Sequence, residues 1–328
     1  MAKFSLPVLV IAASATRVWA SCAYGTHLFP RAEEGGAVEI KTFGYAGTIG
    51  PLNWAALDGG AANVKCATGT RQSPIDMVDG VFQMVSASDL ELAIADMPEG
   101  TEFENLGTTI EVVGKGGTLK VGGKTYEFQQ FHFHLPSEHL DNGTSIAMEM
   151  HMVWQSAEGE IAVIGVFVDL DNGAGAGAGA AATVAAAAEG GAFGGVQGFV
   201  TLPMTRAAGV SSNLLETVLS RAQEIATPGT AVKTQPLVMS ELVNTLIAGS
   251  FQSYSGSLTT PPCSENVLWL VSTQKLQIRT ATFEKARSVI GFNSRYPQNT
   301  PGQPNLLAVG AASAASAQAA EGVPAAKA

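Results

Sequence analysis

Residues 125–135 read Thr125-Tyr126-Glu127-Phe128-Gln129-Gln130-Phe131-His132-Phe133-His134-Leu135. Successive side chains of an extended strand point to opposite faces. Gln130, His132 and His134 therefore share one face, and Phe131, Phe133 and Leu135 share the other. Downstream, Ile146 to Gln155 repeats the pattern, with Glu149 and His151 on one face and Met148, Met150 and Met152 on the other. Hairpin-like pairing through Asp141-Asn142-Gly143 would bring His151 across from the first two histidines.

Working outward, Thr109 to Val113, Thr118 to Val121, Ile161 to Leu170 and Asn266 to Ser272 carry the same extended signal, punctuated by Gly pairs and Asn-Gly. They follow one another at hairpin distances, which favours antiparallel sheet over βαβ units needing a helix between each pair. One helix is expected with Asn213 as cap and Glu216 three residues on; Leu214, Leu215, Val218, Leu219, Ala222 and Ile225 line its apolar face. A shorter one is expected from Met239 to Ala248, stopped by Gly249. The fold class is mainly β (α+β), a single domain with peripheral helices.

A chain of 328 residues with 46% hydrophobic and 14% charged content suits one sizeable core and excludes a disordered protein. Its net charge of −10, with 18 basic residues that form no run, argues against nucleic acid. Lys3, the apolar Phe4 to Ala15 and the small-residue pattern Val18-Trp19-Ala20 read as a signal peptide cut after Ala20. The apolar stretch is well short of the ~20 residues that span a bilayer, and no later segment reaches that length. No membrane contact is expected after cleavage, and the destination is the secretory pathway: extracellular, periplasmic or an organelle lumen.

An irregular arm over 21–42 should precede the domain at 43–306. The nearly pure Ala/Gly stretch 172–195 and the Ala-rich tail 307–328 have too few apolar contacts to offset ordering entropy, so both are expected to be flexible. Cys22, Cys66 and Cys263 are the three cysteines, and export to an oxidising compartment favours pairing of two. Asn142-Gly143-Thr144 is a glycosylation sequon, relevant only in a eukaryotic lumen. The sequence leaves the oligomeric state open.

Three of the five histidines, His132, His134 and His151, fall in the paired window. Histidines alternating in a strand can simply form a polar sheet face. Three neutral imidazoles with one open position, however, make a catalytic zinc arrangement. Gln130 and Glu149 each stand two residues before a histidine on its own face, where they can accept the ring's other N–H and fix its tautomer. His139 reads as a satisfied structural histidine and His27 as a surface one.

Gln130-Phe131-His132-Phe133-His134, Ser137-Glu138-His139, Glu149-Met150-His151 and Tyr254-Ser255-Gly256-Ser257-Leu258-Thr259-Thr260-Pro261-Pro262 closely resemble the alpha-carbonic anhydrases. Tyr45, Gly50-Pro51 to Trp54, Gln72-Ser73-Pro74-Ile75 and Asn293-Ser294-Arg295 extend the resemblance over roughly 43–300, with the Ala/Gly insertion as a departure.

The resemblance implies a central, about ten-stranded, mostly antiparallel twisted sheet with Zn2+ at the bottom of a conical cleft. It implies reversible hydration of carbon dioxide to bicarbonate by zinc-bound hydroxide, with anions and sulfonamides as inhibitors. Thr259 would accept a hydrogen bond from that hydroxide while donating to Glu138. Thr260 would touch bicarbonate, and Asn293 would support the ligands from behind. Val153, Val163, Leu258 and Trp269 would form the apolar wall that holds carbon dioxide. Cys66 and Cys263 match the family members that carry one disulfide, leaving Cys22 over, and Pro74 and Pro262 stand where relatives have cis prolines. Thr108 takes the place of the proton-shuttle histidine of many relatives, which implies turnover limited by proton transfer. The competing reading is a non-catalytic binding or scaffold protein on the same fold.

Overall fold

The chain is described from a computed structural model, which covers residues 23, 24, 26, 38–171 and 211–321. The expected signal peptide, its cleavage site, Cys22, His27 and the Ala/Gly insertion lie outside the described residues.

The strands are β1 (Asp76–Met77), β2 (Gln83–Ser86), β3 (Glu91–Ile94), β4 (Glu102–Asn105), β5 (Ile110–Val113), β6 (Gly117–Val121) and β7 (Lys124–His134). They continue as β8 (Leu140–Asp141), β9 (Met148–Ser156), β10 (Ile161–Asp171), β11 (Ala231–Lys233), β12 (Ser250–Ser257), β13 (Glu265–Ser272) and β14 (Leu276–Arg279). The helices are α1 (Lys65–Thr68), α2 (Asn213–Leu219), α3 (Met239–Ile247), α4 (Thr280–Ile290) and α5 (Leu306–Glu321).

Twelve strands form one sheet, its main path running β11-β4-β5-β7-β9-β10-β13-β12-β2. β6 joins β3 to β7, and β14 pairs with β10. β10 runs parallel to β13 and β14, whereas β7, β9 and β10 pair antiparallel in succession. The mainly β expectation holds, with two strands more than the resemblance implied. β1 and β8 form a separate parallel pair.

The strict alternation of β7 is broken by a bulge between Phe128 and Gln130. One extra residue resets which face each side chain takes. Tyr126 and Phe128 thus stay in the same buried cluster as Phe131 and Phe133, despite the odd spacing. Met148, Met150 and Met152 of β9 join that cluster, as do Leu214, Leu215, Val218 and Leu219 of α2. Each such fully buried side chain contributes about 1.5–3 kcal/mol of transfer free energy. The opposite face of β9 and β10 carries Val153 and Val163, in a second cluster with Leu258 and Trp269.

Three expectations change. Ser212, not Asn213, caps α2, its Oγ accepting from the Leu215 N–H at 3.4 Å. The expected long helix ends at Leu219, with Ala222–Ile225 as a separate 3-10 turn that keeps Ala222 and Ile225 buried. The tail expected to be flexible is helical over Leu306–Glu321. Alanine has the highest helix propensity, so this stretch takes up helix although its composition offers little to bury.

Candidate metal centre

Strand register builds the site. In the β7–β9 ladder His132 pairs directly with His151, and His134 with Glu149. His132, His134 and His151 are at most 1% exposed, and their candidate ligand nitrogens all lie within 4.8 Å of one another.

Hydrogen bonds decide which nitrogen of each ring is free. Gln130 Oε1 is 2.8 Å from His132 Nδ1, and the Asn293 carbonyl is 2.9 Å from His134 Nδ1. Glu149 Oε1 is 2.9 Å from His151 Nε2. All three partners are acceptors, so these ring nitrogens carry the protons and the others present bare lone pairs. His132 Nε2 and His134 Nε2 are indeed buried with no hydrogen-bond partner among the described residues. His134 Nε2 also faces Glu138 Oε2 at 3.5 Å, and His151 Nδ1 faces the same oxygen at 3.9 Å. Lone pairs turned toward one another in a dry site need a cation or a proton between them.

Protons are disfavoured on the rings. Burial, followed by the charge of neighbouring histidines, pushes His134 down to about 3 and His132 well below its ordinary value. Burial likewise lowers His151, against the pull of Glu149. Three neutral imidazoles aimed at one point are the donor set that suits zinc.

Glu149 organises the rear of the site. Its Oε1 accepts from His151 and, at 2.7 Å, from His139 Nδ1, while Oε2 accepts the backbone N–H groups of Glu138 and His139 at 2.9 and 2.8 Å. Burial alone would raise its pKa, but the two imidazoles and their hydrogen bonds hold it well below the usual carboxylate range. Gly165 pairs with His151 across β9–β10, and a Cβ there would come within 3.0 Å of Glu149 Oε1. His139 has the structural role expected of it, with Nε2 2.7 Å from the Tyr254 hydroxyl.

Glu138 is 1% exposed and hydrogen-bonded by the Thr259 side chain. Its Oε1 accepts the Arg295 backbone N–H at 2.8 Å. Burial drives its pKa well above the ordinary value, opposed by these two hydrogen bonds. A divalent cation at the imidazoles would oppose burial in the same sense. Thr259 and Thr260 are fully buried on the segment after β12. Val153, Val163, Leu258 and Trp269 lie in one apolar cluster. Thr108 is 6% exposed, and its hydroxyl has no partner among the described residues.

Asn293 does more than its supporting position implied. Its Oδ1 accepts from Leu135 N at 2.7 Å, and its Nδ2 donates to the Phe133 and Thr108 carbonyls at 2.8 and 3.0 Å. Cys66 and Cys263 form a disulfide. The cis bonds include Ser73-Pro74 and Pro261-Pro262, together with Leu135-Pro136, which the sequence had not signalled.

Arg295 was missed as a site residue. It is 1% exposed, and its guanidinium donates to the Ser73 carbonyl at 2.7 Å, Gln72 Oε1 at 3.0 Å and the Cys66 carbonyl at 3.2 Å. It thereby ties the disulfide segment to Glu138. Only the presence of these partners in the matching motifs hinted at the connection.

The model of the eukaryotic-type carbonic anhydrase family matches residues 50–177 and 196–302. The chain belongs to the alpha-carbonic anhydrase family. A fungal alpha carbonic anhydrase from Aspergillus oryzae superimposes with a TM-score of 0.68 at 34% identity, covering 82% of this chain and 98% of the other. A carbonic anhydrase of Nostoc sp. is 29% identical over 265 residues, spanning 80% of this chain and 82% of that relative. The alpha-carbonic anhydrase of Thermovibrio ammonificans, solved with the inhibitor sulfanilamide, matches at 30% identity and a TM-score of 0.56, over 83% of this chain and 99% of that one. Family and fold together support carbon dioxide hydration for this carbonic anhydrase.

Proposed function

We propose that the chain interconverts carbon dioxide and bicarbonate, CO2 + H2O ⇌ HCO3⁻ + H⁺, using zinc held by His132, His134 and His151. The observation that carries this reading is the convergence of bare, buried imidazole nitrogens whose opposite ring positions are all occupied by acceptors. Zinc in such a site supplies Lewis acidity that makes water acidic near neutral pH, an established property of carbonic anhydrases.

The chain's own residues then orient and hold the reactants. The Thr259 hydroxyl has one proton; donated to Glu138, it leaves only oxygen lone pairs facing the reacting water. Thr259 thereby accepts that water's proton-bearing side and turns its lone pair toward the substrate. Val153, Val163, Leu258 and Trp269 offer carbon dioxide an apolar surface with no competing hydrogen-bond donor other than the indole, and Trp269 Nε1 is occupied by the Ser257 carbonyl at 2.9 Å. Thr260, next along the chain, contacts bicarbonate. Thr108 provides no base for the released proton, because a hydroxyl does not accept one at neutral pH.

A non-catalytic scaffold on the same fold is the competing reading. It gives no reason for Thr259, Glu138 and three bare imidazole nitrogens to stand together. Export from the cytosol is proposed on the disulfide and the signal-like start; no described helix is long and apolar enough to cross a membrane. Sulfonamides and small anions are proposed inhibitors at the same site.

The test is stopped-flow carbon dioxide hydration with metal analysis, before and after chelation. One zinc per chain, loss of hydration on its removal and recovery on its return are expected. Full activity in metal-free protein would overturn the reading.

A further inference from the structure

After β8 the chain reverses at Asp141-Asn142-Gly143-Thr144, where the Asp141 and Thr144 backbones exchange hydrogen bonds of 2.9 and 3.0 Å. Asn142 has φ 48° and Gly143 φ 77°. Positive φ at both central residues makes the two-residue turn that Asn-Gly favours. Asn142, Gly143 and Thr144 are exposed, so water reaches them.

Three groups surround the Asn142 carboxamide and the amide that follows it. Asp76 Oδ1 accepts the Gly143 N–H at 2.8 Å. The Asp79 N–H donates to Asn142 Oδ1 at 2.9 Å. Asn142 Nδ2 donates to Asp141 Oδ1 at 3.2 Å, and the other Asp141 oxygen is paired with Lys275 Nζ. The parallel pairing of β1 with β8 delivers Asp76 to the turn from 67 residues upstream of Gly143.

Each contact falls on one atom of a known intramolecular reaction, attack of a backbone nitrogen on the carboxamide before it. Glycine, having no Cβ, hinders that approach least. Asp76 is within reach of the Gly143 proton as a general base. The Asp79 N–H is aimed at the oxygen on which negative charge develops. Asp141 holds the amino group that departs.

We propose that Asn142-Gly143 is a self-modification site, at which the fold promotes closure to a succinimide. The bond from Gly143 N to Asn142 Cγ forms as the Gly143 proton passes to Asp76. The Cγ–Nδ2 bond breaks, and Nδ2 leaves as ammonia with the proton that Asp76 returns. Water then opens the ring at either carbonyl, giving aspartate or isoaspartate at position 142. The chain gains a negative charge beside Asp76, Asp79 and Asp141, and isoaspartate also lengthens the turn backbone by a methylene. The site is separate from the metal centre and independent of the catalytic reading. A sugar on the same Nδ2, which the sequon permits, would block the loss of ammonia.

The test follows the full chain, made in a host that adds no N-glycan, at neutral pH by peptide mapping and mass spectrometry. Asn172-Gly173, the other Asn-Gly pair of the sequence, is the internal reference. Asp76→Asn keeps an acceptor for the Gly143 N–H but removes the base. Ammonia loss at Asn142 is expected to slow at least about tenfold in Asp76→Asn, with the rate at Asn172 unchanged. It is also expected to slow when the wild-type chain is unfolded in urea. Equal rates at Asn142 in wild type and Asp76→Asn overturn the proposal, as does an intact Asn142 in folded wild type once Asn172 has reacted. If circular dichroism shows that Asp76→Asn does not fold, the urea comparison decides, and a rate in urea equal to or above the folded rate overturns the proposal.

Discussion

The backbone carbonyl of Asn293 accepts the Nδ1–H of His134 at 2.9 Å across 159 residues of chain, while the Asn293 side chain holds both sides of that histidine's strand end. Asn293→Ala leaves the Leu135 N–H buried without its partner and takes one of two donors from the Phe133 carbonyl, which keeps the Thr109 hydroxyl at 2.6 Å. An orphaned buried donor costs about 1–3 kcal/mol, so a loss of that order is expected in urea unfolding. Zinc affinity should fall by roughly 10–100-fold in chelator competition, the usual effect of removing an outer hydrogen-bond partner.

Gly165 leaves the space in which Glu149 sits. Gly165→Ala places a Cβ 3.0 Å from Glu149 Oε1, tighter than a relaxed contact, so the carboxylate has to give by a few tenths of an ångström against its hydrogen bonds to His151 and His139. The expected outcome is zinc binding weakened by about tenfold with circular dichroism unchanged. Wild-type affinity would show that Glu149 tolerates the displacement.

The disulfide links Cys66 to Cys263 over a sequence separation of 197, and Cys263 follows the Thr259-Thr260 segment by three residues. Chain-entropy arguments value such a closure at about 5 kcal/mol. Reductant should therefore lower the melting temperature more than it lowers zinc content. Superimposable melting curves with and without reductant would remove this contribution.

On the proposed mechanism, Thr108 at the shuttle position would leave water as the proton acceptor in dilute buffer. With hydronium at pKa about −1.7, the uphill transfer of ~12 kcal/mol bounds turnover on the order of 10⁴ per second. Concentrated imidazole should raise kcat severalfold, and Thr108→His should raise it in weak buffer. Equal kcat in both buffers would exclude a proton-transfer limit.

Glu216 ties α2 to α4, accepting from Arg279 N at 2.8 Å, Arg279 Nη2 at 2.6 Å and Thr282 Oγ1 at 2.5 Å. Partial burial alone would raise its pKa, but the Arg279 and Thr282 hydrogen bonds bring it below the ordinary value. A depressed folded pKa means the stabilisation is complete above the unfolded value, about 4.3, and fades as pH falls through the folded one. Glu216→Gln should therefore be destabilised relative to wild type at pH 7, and the gap should narrow in acid. A gap independent of pH would assign the effect to packing.

The β7 and β9 strands were legible because polar and apolar side chains alternate over Gln130–Leu135 and Met148–Met152, and Gln130, His132, Glu149 and His151 follow from counting alone. The short strands β1, β2, β8 and β11 were not: they span two to four residues, and β2 is mostly exposed, so no periodicity marks them. α4 was missed because only Thr282, Phe283 and Ala286 of its eleven residues are buried. The β7 bulge was invisible for a different reason, since Gln129 is recognisable as the extra residue only once β9 is laid beside it.

By itself the sequence determined the three imidazoles, their strand-mates and the family motifs around Thr259, because those depend on spacings of one to four residues. Tertiary structure alone decided which nitrogen of each ring is bare, and that Asn293 and Arg295 brace His134 and Glu138. These are contacts between segments up to more than 200 residues apart. Local chain geometry cannot specify them, since they exist only where the packed sheet brings distant backbone groups within hydrogen-bonding distance.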